Sequence, residues 1–323
     1  MTTLYLAVPC YNEEEVLYDT TEKLLLKMES LIHSEKISQN SRILYIDDGS
    51  KDKTWQIICD LHARFRLVAG CKLSRNRGHQ NALYGGLMAA KEHADAVISI
   101  DADLQDDIEA TDRMREQYEA GYDIVYGVRS KRRTDTFFKR VTAEGFYKFL
   151  RFMGAEIVFN HADYRLMSKR ALDAFAEYKE VNLFLRGLVP MIGFKTATVT
   201  YERRERLAGK SKYPLKKMLS LAWEGVTSLS IKPIRFVTIL GAIVFAISII
   251  LLFYSLFSHF WGNTVPGWTS LAVSIWAIGG LQLLAIGIIG EYLGKIYMET
   301  KQRPRYFIET FLNDEPETED RSQ

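Results

Sequence analysis

Two aspartates separated by one residue, Asp101-Ala102-Asp103, form the most chemically suggestive pattern in this sequence. Paired carboxylates at a strand end can share a divalent cation with a substrate diphosphate, and their hard oxygens suit Mg²⁺ or Mn²⁺. A cation held that way acts as a Lewis acid on a departing diphosphate rather than as a source of nucleophile. The triplet is common in acidic turns, so its company matters. Two further polar clusters follow apolar runs, Tyr11-Asn12-Glu13 and Asp47-Asp48-Gly49-Ser50. The second is also good turn and helix-capping chemistry, and the two uses are compatible. No glycine-rich phosphate loop of the Walker or dinucleotide type follows the first apolar run, which disfavours kinases, ATPases and nicotinamide enzymes.

Such clusters need a scaffold that brings them together. Short β-branched or apolar runs predict strands at Leu4–Pro9, Ile43–Asp47, Val68–Leu73, Ala96–Asp101 and Ile124–Val128. Between them Glu14–Leu31, Thr54–Phe65, Gln80–His93 and Glu109–Glu119 carry helical spacing of apolar residues. Alternation of this kind predicts an α/β domain with a mostly parallel sheet and crossover helices. Ligands of such sheets bind beyond the carboxyl ends of the strands. All three polar clusters fall there, so three strand ends converge on one expected site.

The chain has 323 residues, 47% hydrophobic and 25% charged, enough for one sizeable domain and a smaller appendage. Its charges are unevenly spread. Phe236–Phe257 and Trp268–Ile289 contain none, and each run of about 22 residues is long enough to span a bilayer as a helix. Lys232 and Arg235 precede the first run; Lys295, Lys301, Arg303 and Arg305 follow the second, while Ser258–Gly267 between them has no Lys or Arg. The positive-inside rule therefore puts both ends on the cytoplasmic side, with Trp261 and Trp268 near the opposite interface. The expectation is a multi-pass protein of the cytoplasmic (inner) membrane without a secretory signal. Pro214–Ile231 reads as an amphipathic helix lying on the membrane, or alternatively as a core helix. The expected divisions are 1–213 for the α/β domain, 214–233 for the interfacial helix, 234–294 for the two spans and 295–323 for a cytoplasmic tail, disordered over Asn313–Gln323. Cys10, Cys59 and Cys71 have no metal-site or CxxC spacing and suit buried thiols. Basic residues between Arg203 and Arg235 are placed to meet anionic lipid headgroups or to form a solvated face.

Four spaced segments carry a family resemblance: Val8-Pro9-Cys10-Tyr11-Asn12-Glu13, Tyr45 through Thr54, Asp101 through Asp106, and Ala162-Asp163-Tyr164-Arg165-Leu166-Met167. With the two apolar runs they cover nearly the whole chain, which resembles the polyisoprenyl-phosphate glycosyltransferases of family 2, of GT-A fold. Bactoprenol glucosyltransferases are the nearer likeness and dolichol-phosphate mannose synthase the more distant one. The resemblance implies that Pro9, Tyr11, Glu13 and Asp48 contact the base and ribose of a nucleotide, with Asp47 supporting them. Asp101, Asp103 and Gln105 would hold metal and diphosphate. Arg77, in Ser74–Asn81, would meet a donor phosphate or remain a solvated loop charge. Asp106-Asp107 stands where relatives often have Asp-Pro, a departure that affects the chain direction after the metal motif.

Asp163 occupies the family's position for the catalytic carboxylate, as a base or as a positioning group; a structural ion pair with Arg165 is the alternative. A phosphate monoester has its second pKa near 6, so an acceptor of that kind needs little deprotonation. Arg186, Arg206, Ser211, Lys212 and Tyr213 carry the acceptor side, since Arg suits bidentate phosphate contact and Lys acts as a point charge. The implied reaction moves a hexose from UDP-glucose or UDP-N-acetylglucosamine to undecaprenyl phosphate by inverting displacement, giving a lipid-linked monosaccharide for cell-envelope glycosylation. The partners implied are the nucleotide-sugar, the polyisoprenyl phosphate and membrane lipids, with no nucleic acid, and relatives imply a homotetramer. A processive polysaccharide synthase is disfavoured, because no tryptophan follows an arginine as a Gln-x-x-Arg-Trp motif needs. A catalytically silent scaffold is disfavoured because the carboxylates are all present.

Overall fold

The computed structural model describes residues 1–129, 161–181, 183–202, 232–260 and 267–314, in two compact units. The first is an eight-stranded sheet with helices. Its strands are β1 (Leu4–Cys10), β2 (Arg42–Asp47), β3 (Val68–Leu73), β4 (Ala96–Ser99), β5 (Ile124–Arg129), β6 (His161–Ser168), β7 (Thr196–Tyr201) and β8 (Ile308–Leu312). Between them run α1 (Leu17–His33), α2 (Thr54–Arg64), α3 (His79–Ala90), α4 (Ala110–Glu119), α5 (Lys169–Ala176) and α6 (Leu185–Met191). All five expected strands and all four expected helices form, with ends displaced by a few residues.

Sheet order is β7-β5-β6-β4-β1-β2-β3-β8. β1 pairs in parallel with β2 and β4, and β2 with β3. Every residue of β1 and β2 is buried, as central parallel strands covered on both faces must be. Leu4, Leu6, Val8, Ile43, Tyr45 and Ile98 join Leu24, Met28 and Leu31 of α1 in one core. The sheet is mixed rather than parallel throughout. β6 inserts antiparallel between β4 and β5, and β7 runs parallel to β5. That insertion sets Asp163 and Arg165 beside the strand that leads into the Asp101 loop.

The segment expected to be a tail, 295–323, needs correction. Its first residues continue a helix that ends at Thr300, and Ile308–Leu312 returns as β8, antiparallel to β3. Lys72 of β3 pairs with Glu309 at 3.0 Å, the Tyr5 hydroxyl donates to Asn313 Oδ1 at 3.1 Å, and Arg305 lies 4.6 Å over the Tyr84 ring. An open sheet edge presents unpaired N–H and C=O groups, and β8 covers this one. The disorder expected from Asn313 onward falls, after Asp314, outside the described residues.

The second unit contains α7 (Lys232–Phe260, 29 residues) and α8 (Trp268–Thr300, 33 residues). Phe236, Ile239, Ile243, Leu283 and Ile286 are all exposed on these helices. Among the described residues one stretch, Ile278–Thr300, is long and apolar enough by length and composition to cross a membrane. Two long helices form where the pair of spans was expected, but only one of them contains such a stretch among the described residues. The interfacial helix expected at 214–233 lies outside the described residues up to Ile231.

Candidate active site

The ends of β1 and β2 are bound together before any ligand arrives. Asp48 N–H donates to the Cys10 carbonyl at 2.9 Å, Glu13 N–H to Thr54 Oγ1 at 2.9 Å, and Lys51 N–H to Asn12 Oδ1 at 2.9 Å. Asn12 adopts a positive φ of 54°, which a short amide side chain tolerates. Tyr11 is exposed beside this turn, whereas Pro9 is buried within β1. Any contact from Pro9 to a ligand is therefore limited to what its buried position leaves open.

Asp48 itself is committed. Its two carboxylate oxygens accept from the backbone N–H groups of Arg77 at 2.7 Å and Gly78 at 2.9 Å, fixing the loop that leads into α3. Gly49 permits this approach: a Cβ there would lie 2.5 Å from Asn76 N, and its φ is +65°. Asp47 accepts from Ser50 N–H through Oδ1 at 3.1 Å, while Oδ2 is buried without a hydrogen-bond partner. Burial raises both carboxyls above their ordinary values, against the hydrogen bonds they accept. Arg77 meets Asp48 through its backbone, and its Nε is also buried without a partner.

The Asp101 loop is a tight turn in which Leu104 N–H donates to the Asp101 carbonyl at 3.2 Å and Leu104 adopts φ 44°. Thr20 of α1 anchors it through the Ala102 carbonyl at 2.7 Å. Gln105 is buried, and its N–H reaches Asp103 Oδ1 at 3.3 Å. Asp106 is buried too. It accepts from the Tyr201 hydroxyl at 2.6 Å and pairs with Arg129 at 3.1 Å, tying the ends of β5 and β7 to the loop. Asp106 is thus held in a structural knot, and the departure from the Asp-Pro pattern falls on the next residue, Asp107.

Burial pushes the Asp101 carboxyl up to about 6; His79 opposes the rise and the charges of Asp106, Asp163 and Asp103 add to it. A carboxylate destabilised by its neighbours' negative charge fits a divalent cation, which would remove the repulsion. Among the described residues no three His, Cys, Asp or Glu side chains form a ready cage.

Asp163 is the hub of the opposite side. Arg165 Nη2 donates to Oδ1 at 2.7 Å, and Arg186 donates to Oδ1 through Nε at 3.3 Å and to Oδ2 through Nη2 at 3.1 Å. His79 Nε2 stands 3.6 Å from Oδ2. Ser99 of β4 donates to the Asp163 carbonyl. Burial alone would raise the Asp163 carboxyl, but the contact with His79 and the charges of Arg186 and Arg165 hold it well below the usual carboxylate range. The ion pair with Arg165 weighed from sequence is therefore present, and it coexists with the pairing to Arg186.

Arg186 is the second residue of α6, and both backbone groups of Leu185, which opens the helix, are gripped. Leu185 N–H donates to Gln80 Oε1 at 3.0 Å and its carbonyl accepts from Arg165 at 3.3 Å. The Asp106 partners Arg129 and Tyr201 were not singled out from sequence, and His79 and Gln80 figured only within Ser74–Asn81, the segment that resembles the family's loop beside the donor. His79 and Gln80 had a weak signal, a polar pair opening a helix after Gly78; Arg129 and Tyr201 had none within their own segments. Arg206, Ser211, Lys212 and Tyr213 lie outside the described residues.

Residues 5–175 match the family Glycosyl transferase family 2. The chain is a family 2 glycosyltransferase. It is 53% identical over 312 residues, 97% of this chain and 93% of the relative, to the uncharacterized glycosyltransferase YkoT of Bacillus subtilis. It is 42% identical over 312 residues, 94% of this chain and 98% of the relative, to the bactoprenol glucosyl transferase of Shigella phage SfX. Glucosyl-3-phosphoglycerate synthase from Mycobacterium tuberculosis superposes with a TM-score of 0.45 at 17% identity, covering 71% of this chain and 79% of that one. The enzyme has the GT-A architecture, a Rossmann-like α/β fold with a mixed sheet.

Proposed function

We propose that this glycosyltransferase moves a hexose, glucose in the first instance, from a UDP-sugar to a polyprenyl phosphate at a membrane surface. The observation that carries the reading is that Arg186 pairs with Asp163 at 3.1 Å, and that the charge of Asp163 is felt at Asp101. It supports a cationic side chain suited to phosphate acting near carboxylates that would hold a diphosphate-bound metal. The preference for glucose and a bactoprenol-type acceptor rests on similarity to relatives bearing that name.

Asp101 and Asp103 would hold Mg²⁺ or Mn²⁺, which when bound supplies Lewis-acid neutralisation of charge on the departing nucleoside diphosphate. The β1 and β2 ends, with Tyr11, Glu13, Asp47 and Asp48, would receive the nucleotide, and Arg77 and Gln105 would border its phosphates. Asp163 is too acidic to take a proton efficiently near neutrality. Its role in this reading is to hold Arg186 for the acceptor, whose phosphate is already substantially anionic and needs no strong base. Attack by that phosphate in a single in-line displacement inverts the anomeric carbon. Arg206, Ser211, Lys212 and Tyr213 would complete the acceptor side. α7 and α8 would cross the membrane as a hairpin with the sheet unit in the cytoplasm, and the assembled enzyme would be a homo-oligomer.

The test is transfer of radiolabel from a panel of UDP- and GDP-sugars to undecaprenyl phosphate in detergent, with Mg²⁺ or EDTA and with Asp103→Ala. Labelled lipid from one UDP-sugar, lost with EDTA and in the variant, is the expected result. Absence of labelled lipid from every donor, with folded protein, refutes the proposed acceptor.

A further inference from the structure

The three cations around Asp163 differ in access. The Arg165 side chain is 2% exposed and is held by both Asp163 and the Leu185 carbonyl, so it stays where it is. Arg186 and His79 are 42% and 45% exposed, and both address the same carboxylate oxygen, Oδ2, at 3.1 and 3.6 Å. The longer distance is that of a loose ion pair rather than a short hydrogen bond. Two accessible cations that meet at one carboxylate oxygen are spaced to meet at one oxygen of another anion.

We propose that His79, together with Arg186, receives the phosphate monoester of the acceptor, with Asp163 holding both cations in place until it arrives. This rests on the acceptor class proposed above and adds the residue that completes its phosphate site. Consecutive residues of α3 set both cations. His79 is one of them directly, and Gln80 fixes the other by accepting from Leu185 N–H at 3.0 Å. Gly78, at φ +84°, turns the chain into the helix at this point, so the positive end of the α3 dipole adds to the same field. Burial works against the imidazolium, but Asp163 and then Asp101 keep it above its ordinary value. A monoester dianion calls for more than one cation, and the centre of this pair is Asp163 rather than the Asp101–Asp103 carboxylates that suit the donor diphosphate.

The experiment measures binding without turnover. Farnesyl phosphate is titrated into the full chain in detergent, with farnesol and, in the presence of Mg²⁺, UDP as separate ligands. Wild type is compared with His79→Gln and His79→Lys. His79→Gln is expected to weaken farnesyl phosphate on the order of tenfold, as loss of a charge-assisted hydrogen bond does. His79→Lys restores binding to within about twofold, and farnesol and UDP are unaffected in both variants. Unchanged binding in His79→Gln, equal losses for farnesol or UDP, or failure of His79→Lys to restore affinity overturns the proposal. Wild type that binds in the expected pattern yet labels no lipid supports the phosphate site and overturns the transfer reaction alone.

Discussion

Replacing Asp163 by Asn leaves the shape of the hub almost intact and removes its charge. Arg165 then lies at 2% exposure with no carboxylate, while Asn Oδ1 still accepts one hydrogen bond from it. Breaking a buried ion pair by removing one partner costs about 3–5 kcal/mol, and the retained hydrogen bond puts this variant near 3 kcal/mol. For a sheet unit of roughly 200 residues that corresponds to a Tm lower by about 6–12 °C. Thermal unfolding of the detergent-solubilised full chain, followed by circular dichroism, reads it. The pH dependence is fixed in sign. Asp163 is depressed in the folded state, so its contribution is fully present above the unfolded carboxylate value of about 3.9 and is lost as pH falls through the lower folded value. The Tm gap between wild type and Asp163→Asn should thus remain at about pH 8, where the two arginines still need the carboxylate, widen as pH falls and His79 becomes charged beside Asp163, and close only in stronger acid. Equal Tm values at pH 7 would refute the claim that charge at Asp163 organises Arg165 and Arg186; a gap closing near neutrality would refute the depressed carboxyl.

Asp101 predicts the opposite sign. Its folded carboxyl is raised to about 6, so in metal-free buffer its ionised form destabilises the fold, and Asp101→Asn should raise Tm at pH 8 while abolishing transfer. The gain corresponds to roughly 3 kcal/mol and should shrink below about pH 6, vanishing only below about pH 3, where Asp101 is protonated in both states. Gly49→Ala places a Cβ 2.5 Å from Asn76 N at φ +65° and should cost about 2 kcal/mol or more in denaturant unfolding, with weakened UDP binding as the Asp48 loop shifts. Ending the chain after Thr300 removes β8 and the Lys72–Glu309 pair, and should lower Tm and give concentration-dependent association in light scattering through the bared β3 edge. Retention of wild-type Tm and dispersity would show that β8 does not protect that edge.

Local chemistry made much of this enzyme legible in its sequence. β1 through β5 and the first four helices follow from hydrophobic periodicity, because runs buried on both faces are continuously apolar and crossover helices are amphipathic over three or four turns. The Asp101 loop and the Asp47-Asp48 turn were visible as polar clusters at strand ends, where such sheets bind ligands, whereas Asp163 was reached through the family resemblance. β6, β7 and β8 were not. β6 reads His161-Ala162-Asp163-Tyr164-Arg165, with two charges inside a strand, and its placement depends on Asp163 and Arg165 satisfying each other once β4 and β5 flank it. β8 is a short run that acquires its role only against an edge strand more than two hundred residues earlier in the chain. What the sequence alone determined was the inventory: which carboxylates, which arginines and which strand ends. The tertiary structure alone decided the pairing, because a charge inside a sheet is tolerable only beside its partner and no spacing in the chain tells Asp163 that Arg186, Arg165 and His79 will all reach it.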